Sequence, residues 1–185
     1  MRMSEIRLLR REVGMLFQGS ALFDSLSVLE NVMYPLEMFA PTSHEEMEER
    51  ARYCLQHVDL KEKAFGLAPS EISGGMQKRV AIARAIALQP KYLFCDEPNS
   101  GLDPKTSLII DQLIHELTVE FDITTIINSH DMNSVMEIGE NIIFINKGEK
   151  AWQGAKEDIF HVDNEDLNDF VFASELYKKV KKANS

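Results

Sequence analysis

Basic charge, cysteine and long apolar runs are all scarce in this chain of 185 residues. Thirty Asp and Glu stand against twenty Lys and Arg, for a formal net charge of −10. That deficit argues against nonspecific binding to nucleic acid or to an acidic membrane surface, both of which need basic patches. Short basic clusters occur at Arg7–Arg11 and Lys178–Lys182, and the second reads as a solvated helix end. The two cysteines, Cys54 and Cys95, have neither metal-ligand spacing nor a disulfide framework around them. Cys95 lies in the apolar run YLFC and reads as a buried reduced thiol, which suits a cytoplasmic protein. The N-terminus, MRMSEIRLLRREVGMLF, has no long uncharged apolar stretch, so neither a signal peptide nor a membrane span is expected there. Work at a membrane would need a partner to provide the span. Internal repeats and low-complexity tracts are also missing. So is the phosphate-binding loop Gly-x-x-x-x-Gly-Lys-Ser/Thr: KGEKAWQG and ISGGMQKR contain Gly and Lys, but not at that spacing.

What remains is ordinary globular material, 44% apolar and 27% charged, long enough for one domain with a real core. Ser4–Glu12 reads as a short helix and VGMLFQ as a buried strand ending at Gln18. Ser27 with Glu30, and Ser43 with Glu46, match the Ser-x-x-Glu capping box and open helices over Val28–Phe39 and His44–His57. In the second helix Met47, Ala51, Leu55 and Val58 recur at helical spacing, so one face is buried. A further helix is predicted from Gly75 to Gln89, stopping before Pro90. KYLFCDEP is a short apolar run ending in two carboxylates, and Asp103 and Pro104 fit the N-cap and first position of the next helix. ITTIINSH is a second buried strand, DMNSVMEIG a short helix closed by Gly139, and NIIFINKGEKAWQG a hairpin turning at Lys147–Gly148. Helical segments are expected over Ala155–Phe160 and Glu165–Leu176. YLFC and TTIIN are apolar without alternation, which predicts burial on both faces and a mostly parallel α/β sheet. Residues 27–89 interrupt the strand–helix rhythm and read as an inserted helical subdomain, with 90–154 as the α/β core and 155–185 as a C-terminal helical extension.

Two stretches carry chemistry. In EISGGMQKR, Ser73, Gly74 and Gly75 stand at a helix start, where free backbone N–H groups and the helix dipole form an anion cradle. In YLFCDEP, Asp96 and Glu97 end a buried strand, the edge at which ligands bind in open α/β sheets. A division of labour follows: Asp96 holds Mg²⁺, and Glu97 polarises a water for attack on a phosphate. Two ordinary acids at a strand end would look the same in isolation. A lone histidine is more often structural or merely exposed, and His44, His57, His115 and His161 are read that way.

The order of motifs decides between these readings. ISGGM at 72–76, DEP at 96–98, SGLD at 100–103 and SHD at 129–131 follow one another, with Gln18 at a strand end upstream. This set resembles the ATP-binding cassette (ABC) ATPases over nearly the whole chain. The resemblance implies a P-loop NTPase fold, RecA-like, with an inserted helical subdomain and with ATP and Mg²⁺ as ligands. It makes Ile72–Met76 the signature motif, whose Ser73, Gly74 and Gly75 close over ATP held by a partner. Leu93–Asp96 become the end of the Walker B strand, with Glu97 as the catalytic carboxylate. Ser100, Gly101, Leu102 and Asp103 form the D-loop, His130 is the switch histidine, and Gln18 is the Q-loop glutamine that coordinates Mg²⁺ or water. The implied partners are a second ABC ATPase subunit, head to tail, and an integral membrane permease docked beside residues 27–60. Nucleic acid is not among them. The implied location is the cytoplasmic face of the inner or plasma membrane.

Met76 replaces the usual Gln of the signature, and Asn99 stands where Thr or Ser is common. SGGMQKRVAIARAIALQP together with HDM resembles the Mce-associated lipid-transport branch, as does the stretch after Gly154, and this implies phospholipid cargo. In the family the phosphate-binding loop precedes the Q-loop, so the resemblance implies a cassette truncated at its N-terminus and inactive by itself. The expected function is therefore the ATP-hydrolysing subunit of an ABC transporter. The alternative is a truncated or non-catalytic cassette that only lends its signature motif to a partner. A soluble ABC protein acting on nucleic acid fits less well, because such proteins usually carry two cassettes or long insertions.

Overall fold

The structure, a computed structural model, describes residues 3–172. The chain divides into two compact units, residues 1–130 and 131–185.

In the first unit a helix α1 (Met3–Glu12) leads into strand β1 (Val13–Leu16), and helices α2 (Val28–Phe39) and α3 (His44–His57) follow. Both capping boxes form as predicted: Ser27 and Ser43 accept from Glu30 N and Glu46 N at 3.3 Å, and each glutamate returns a bond to its cap. Those bonds, backbone N–H donors foremost, lower the pKa of both carboxyls. Two 3₁₀ turns, Glu62–Ala64 and Pro69–Glu71, lead to helix α4 (Gly74–Ile86). Strand β2 (Tyr92–Asp96), helix α5 (Pro104–Glu120) and strand β3 (Thr124–Asn128) complete the unit. The sheet runs β1-β2-β3, all parallel, with Val13 opposite Tyr92 and Tyr92 opposite Thr124.

Several boundaries differ from expectation. β1 ends at Leu16, two residues before Gln18, because the chain turns at Ser20 and Ala21 in left-handed conformations (φ 63° and 47°). α4 ends at Ile86, with Gln89 left-handed (φ 54°) just ahead of Pro90. The sheet is also not buried on both faces. Gly14, Leu16, Leu93 and Cys95 point into the core, whereas Met15, Tyr92 and Ile126 are 40%, 42% and 51% exposed on the other side. Absence of alternation in the sequence records apolar side chains on both faces, and here only one of those faces is covered.

The covered face is packed by helices. α4 passes so close to β1 that a Cβ on Gly14 would lie 2.5 Å from the Ala85 carbonyl oxygen. α5 is tied to β3 by the Thr118 and Thr125 hydroxyls, 2.6 Å apart. One core runs from Val28, Val32 and Leu55 of the helical segment through Ile82 and Ile86 to Leu93, Ile110 and Ile114. Both cysteines are free and buried in it, as expected for Cys95; burial pushes the Cys54 thiol up to about 11 and the Cys95 thiol up to about 12. Asn31, wholly buried on α2, accepts from Phe23 N and donates to the carbonyls of Phe23, Leu26 and Ser27, fixing the loop that leads into α2.

In the second unit a short helix α6 (Met132–Ile138) precedes an antiparallel hairpin of β4 (Ile142–Asn146) and β5 (Glu149–Gly154). Lys147 and Gly148 both have positive φ, 51° and 83°, as a tight right-twisted hairpin demands, and the turn falls where it was predicted. The helix expected over Ala155–Phe160 is a 3₁₀ turn over Lys156–Phe160. Helix α7 (Glu165–Val171) follows, and the rest of the helix expected to reach Leu176, with the lysine-rich tail, lies outside the described residues. Ile159, Leu167, Val171 and Phe172 form the core of this unit.

Candidate functional site

Three parallel strands end along one edge of the sheet, and each delivers a polar residue there. Gln18 lies two residues past β1, Asp96 ends β2 and is followed by Glu97, and His130 lies two residues past β3. The structure brings them together. Asn128 Nδ2 donates to Asp96 Oδ1 at 2.8 Å, and Glu97 N donates to the Asn128 carbonyl at 2.9 Å. Glu97 Oε1 accepts from the His130 backbone N–H at 3.1 Å and lies 2.8 Å from His130 Nδ1. Gln18 Nε2 donates to Ser100 Oγ at 3.1 Å. Glu97 is held in a left-handed conformation, φ 46°, which costs a non-glycine residue on the order of 1 kcal/mol and is typical of functional positions. The Glu97 side chain is mostly buried, 18% exposed, while the His130 side chain is 77% exposed.

Ser100, Gly101 and Leu102 form a turn onto α5, with Gly101 at φ 80°. Asp103 is the N-cap predicted for it. Its carboxylate accepts from Thr106 Oγ1 at 2.5 Å and from the N–H groups of Thr106 and Lys105, both at 3.1 Å. These bonds, the Thr106 hydroxyl's first, lower its pKa. Ser73 caps α4, accepting from Met76 N at 3.3 Å, which leaves its own hydroxyl proton free to donate elsewhere. Gly75 has a packing role that its sequence context did not announce: a Cβ there would meet the Thr106 methyl at 2.9 Å. The start of α4 is therefore packed against the start of α5.

Three contributors to the site were missed by sequence reasoning. Asn128 aligns Asp96, and its signal was its register opposite Asp96 at the end of a predicted strand. Asn99, noted only as a departure, donates to Asp111 Oδ1 at 2.7 Å and so ties the turn to a buried carboxylate of α5. Lys78, buried on α4, donates from Nζ to the Gln18 carbonyl. Burial lowers its pKa, opposed by the negative charge of the nearby Asp96 and Glu97 carboxylates.

Among the described residues no group of three or more His, Cys, Asp and Glu is arranged to enclose a metal ion. Mg²⁺ bound with a nucleotide takes one or two protein oxygens and completes its shell with water and phosphate. The Asp96 carboxylate and the Gln18 amide oxygen are hard ligands of the required kind. No helix among the described residues is long and apolar enough to cross a membrane.

Solved structures with this architecture are ATP-binding cassettes, a branch of the P-loop NTPase fold. A dimeric post-hydrolysis state of the ATP-binding cassette MJ0796 bound to ADP and Pi superposes with a TM-score of 0.74 at 37% identity, covering 84% of this chain and 68% of that one. A second dimeric structure of MJ0796, described as a bacterial ABC transporter cassette, gives 0.73 at the same identity and coverage. Residues 1–100 match the family described as ABC transporter, and the chain belongs to that family. Among curated relatives, the methionine import ATP-binding protein MetN of Desulfitobacterium hafniense is 40% identical over 84% of this chain and 45% of its own length. MetN of Lactobacillus acidophilus is 39% identical over 92% of this chain and 48% of its own length. The chain thus spans about half the length of the curated relatives it matches. Their names speak of methionine import and not of lipid transport.

Proposed function

We propose that this chain is the catalytic part of a transporter ATPase, with ATP hydrolysed at the edge where β1, β2 and β3 end. The convergence of Gln18, Asp96, Glu97, Ser100 and His130 at that edge carries the reading. With Oε1 of Glu97 engaged by His130, Oε2 is the oxygen that polarises the attacking water. His130, its Nδ1 turned to Glu97, presents Nε2 to the γ-phosphate and orients the same water. Asp96, aligned by Asn128, and Gln18 hold Mg²⁺, which supplies charge neutralisation for the phosphates. Ser73, Gly74 and Gly75 at the start of α4 close over the γ-phosphate of an ATP seated on a second subunit, and Ser100–Asp103 line that junction. The similar MJ0796 cassettes are dimeric, which supports pairing with a second subunit. An integral membrane permease beside residues 27–60 provides the span, which places the subunit at the cytoplasmic face of a membrane.

The cargo is read in two ways. Methionine import rests on the names of relatives 37–40% identical to this chain. Phospholipid transport rests on Met76 following the two glycines, and on the similarity of residues 73–90 to the Mce-associated branch; the comparisons give it no support. Purifying the complex and loading its permease with labelled methionine or labelled phospholipid separates them. A third reading, a cassette that only lends its signature motif, is tested with the catalytic one. In the assembled transporter Glu97→Gln should lower ATP turnover by about 10²-fold or more while ATP remains bound. Near-wild-type turnover in that variant would remove Glu97 from the mechanism.

A further inference from the structure

Lys78 is 3% exposed, and its ammonium donates to a main-chain carbonyl 60 residues away, that of Gln18. Two further bonds run from the same helix to the same loop. Arg84 donates to the Ser20 carbonyl and to the Ala21 carbonyl, each at 2.7 Å. Ser20 and Ala21 are the two left-handed residues that end β1's approach, so α4 holds a strained loop at three carbonyls. A buried ammonium that lost its acceptor would be costly, so the Lys78–Gln18 bond resists opening. Lys78 also stands one helical turn from Gly74, on the element whose first residues form the signature motif.

We propose that Lys78, assisted by Arg84, is a positioning residue. It locks the Gln18 loop to the first turns of α4, so that movement of the signature end of the helix moves the Gln18 amide relative to Asp96 and Glu97. Closure of a partner over Ser73–Gly75 then sets the Gln18 side chain mechanically, through one rigid helix. The proposal rests on the roles given above to Gln18 and Glu97. It adds a residue outside the recognised motifs, acting through a backbone carbonyl and touching neither nucleotide nor metal.

Two measurements test it. In the assembled transporter, Lys78→Met should lower kcat about tenfold, with KM for ATP nearly unchanged and a higher Mg²⁺ requirement, as loss of support to a metal ligand does. Lys78→Arg should restore most of the rate, and Lys78→Met combined with Gln18→Ala should be no slower than Gln18→Ala alone. Multiplying losses, or an unchanged kcat in Lys78→Met, overturns the proposal. In this chain by itself, Lys78→Met should speed amide hydrogen exchange at residues 18–22 and leave residues 76–86 unchanged. Equal acceleration in both segments, or none in the first, overturns it as well. If Lys78→Met does not fold, Lys78→Gln replaces it in both experiments with the same expected directions. If Glu97→Gln keeps its turnover, the reading of the site fails, and hydrogen exchange still decides whether Lys78 tethers the loop.

Discussion

At the scale of the residue, environment separates groups that look alike in the sequence. Glu97 and its neighbour Asp96 are adjacent acids. One is 18% exposed and held by His130 from a left-handed backbone, and the other is aligned by Asn128 in extended strand. Different partners give them different tasks. Cys95, one residue before them, is inert for the opposite reason: burial raises its thiol to about 12. Its contribution to stability has a definite sign. An unfolded thiol ionises near 9.0, while the folded one keeps its proton until about 12. Stability from this group is therefore constant below pH 9 and falls as pH rises from there, by on the order of 1 kcal/mol per pH unit. Denaturant melts at pH 8 and at pH 10.5 should show the gap between wild type and Cys95→Ala narrowing at the higher pH. A constant gap would mean that the thiol ionises freely in the fold.

At the scale of the element, α4 is the part most constrained by its neighbours. Its N-terminus meets Thr106 across Gly75, its first turns hold the Gln18 loop through Lys78, and its last turn holds the same loop through Arg84 and lies on β1 across Gly14. Backbone is the obstacle at Gly14, since a Cβ would lie 2.5 Å from the Ala85 carbonyl and backbone cannot rotate away. Gly14→Val should therefore push α4 off the sheet and cost about 2–3 kcal/mol or more, in the range of core overpacking. A lower urea midpoint with unchanged slope would report it. A midpoint within about 0.2 M of wild type would show that α4 has room to spare.

At the scale of the molecule, the exposed side of the three-stranded sheet dominates behaviour in solution. Met15, Tyr92 and Ile126 lie there with Phe94 between them, and among the described residues β3 has a strand partner on one edge only. An open edge beside an apolar face invites pairing with another chain. This chain by itself should therefore associate at micromolar concentration, and Ile126→Lys should disperse it. Sedimentation velocity checks both. A wild-type chain that sediments as a monomer at every concentration would show that the face is harmless. The acidic balance of −10 opposes association, so lowering the salt should favour the monomer.

Local chemistry was legible in the residues themselves. Ser27, Ser43 and Asp103 cap helices because their partners lie within three positions, and Lys147–Gly148 turns because a two-residue loop asks for that backbone. The ordered motifs around Ser73, Asp96, Ser100 and His130 also point to the family by themselves. Tertiary structure decided the rest, and the reason is distance along the chain. Gln18 meets Ser100 across 82 residues, Lys78 meets Gln18 across 60, and Glu97 meets His130 across 33. Only the register of three parallel strands and the packing of α4 bring those partners within bonding range. Which side of the sheet is covered was open for the same reason. A run such as YLFC or TTIIN records that both faces are apolar, while the helices that pack on one of them are set by the fold.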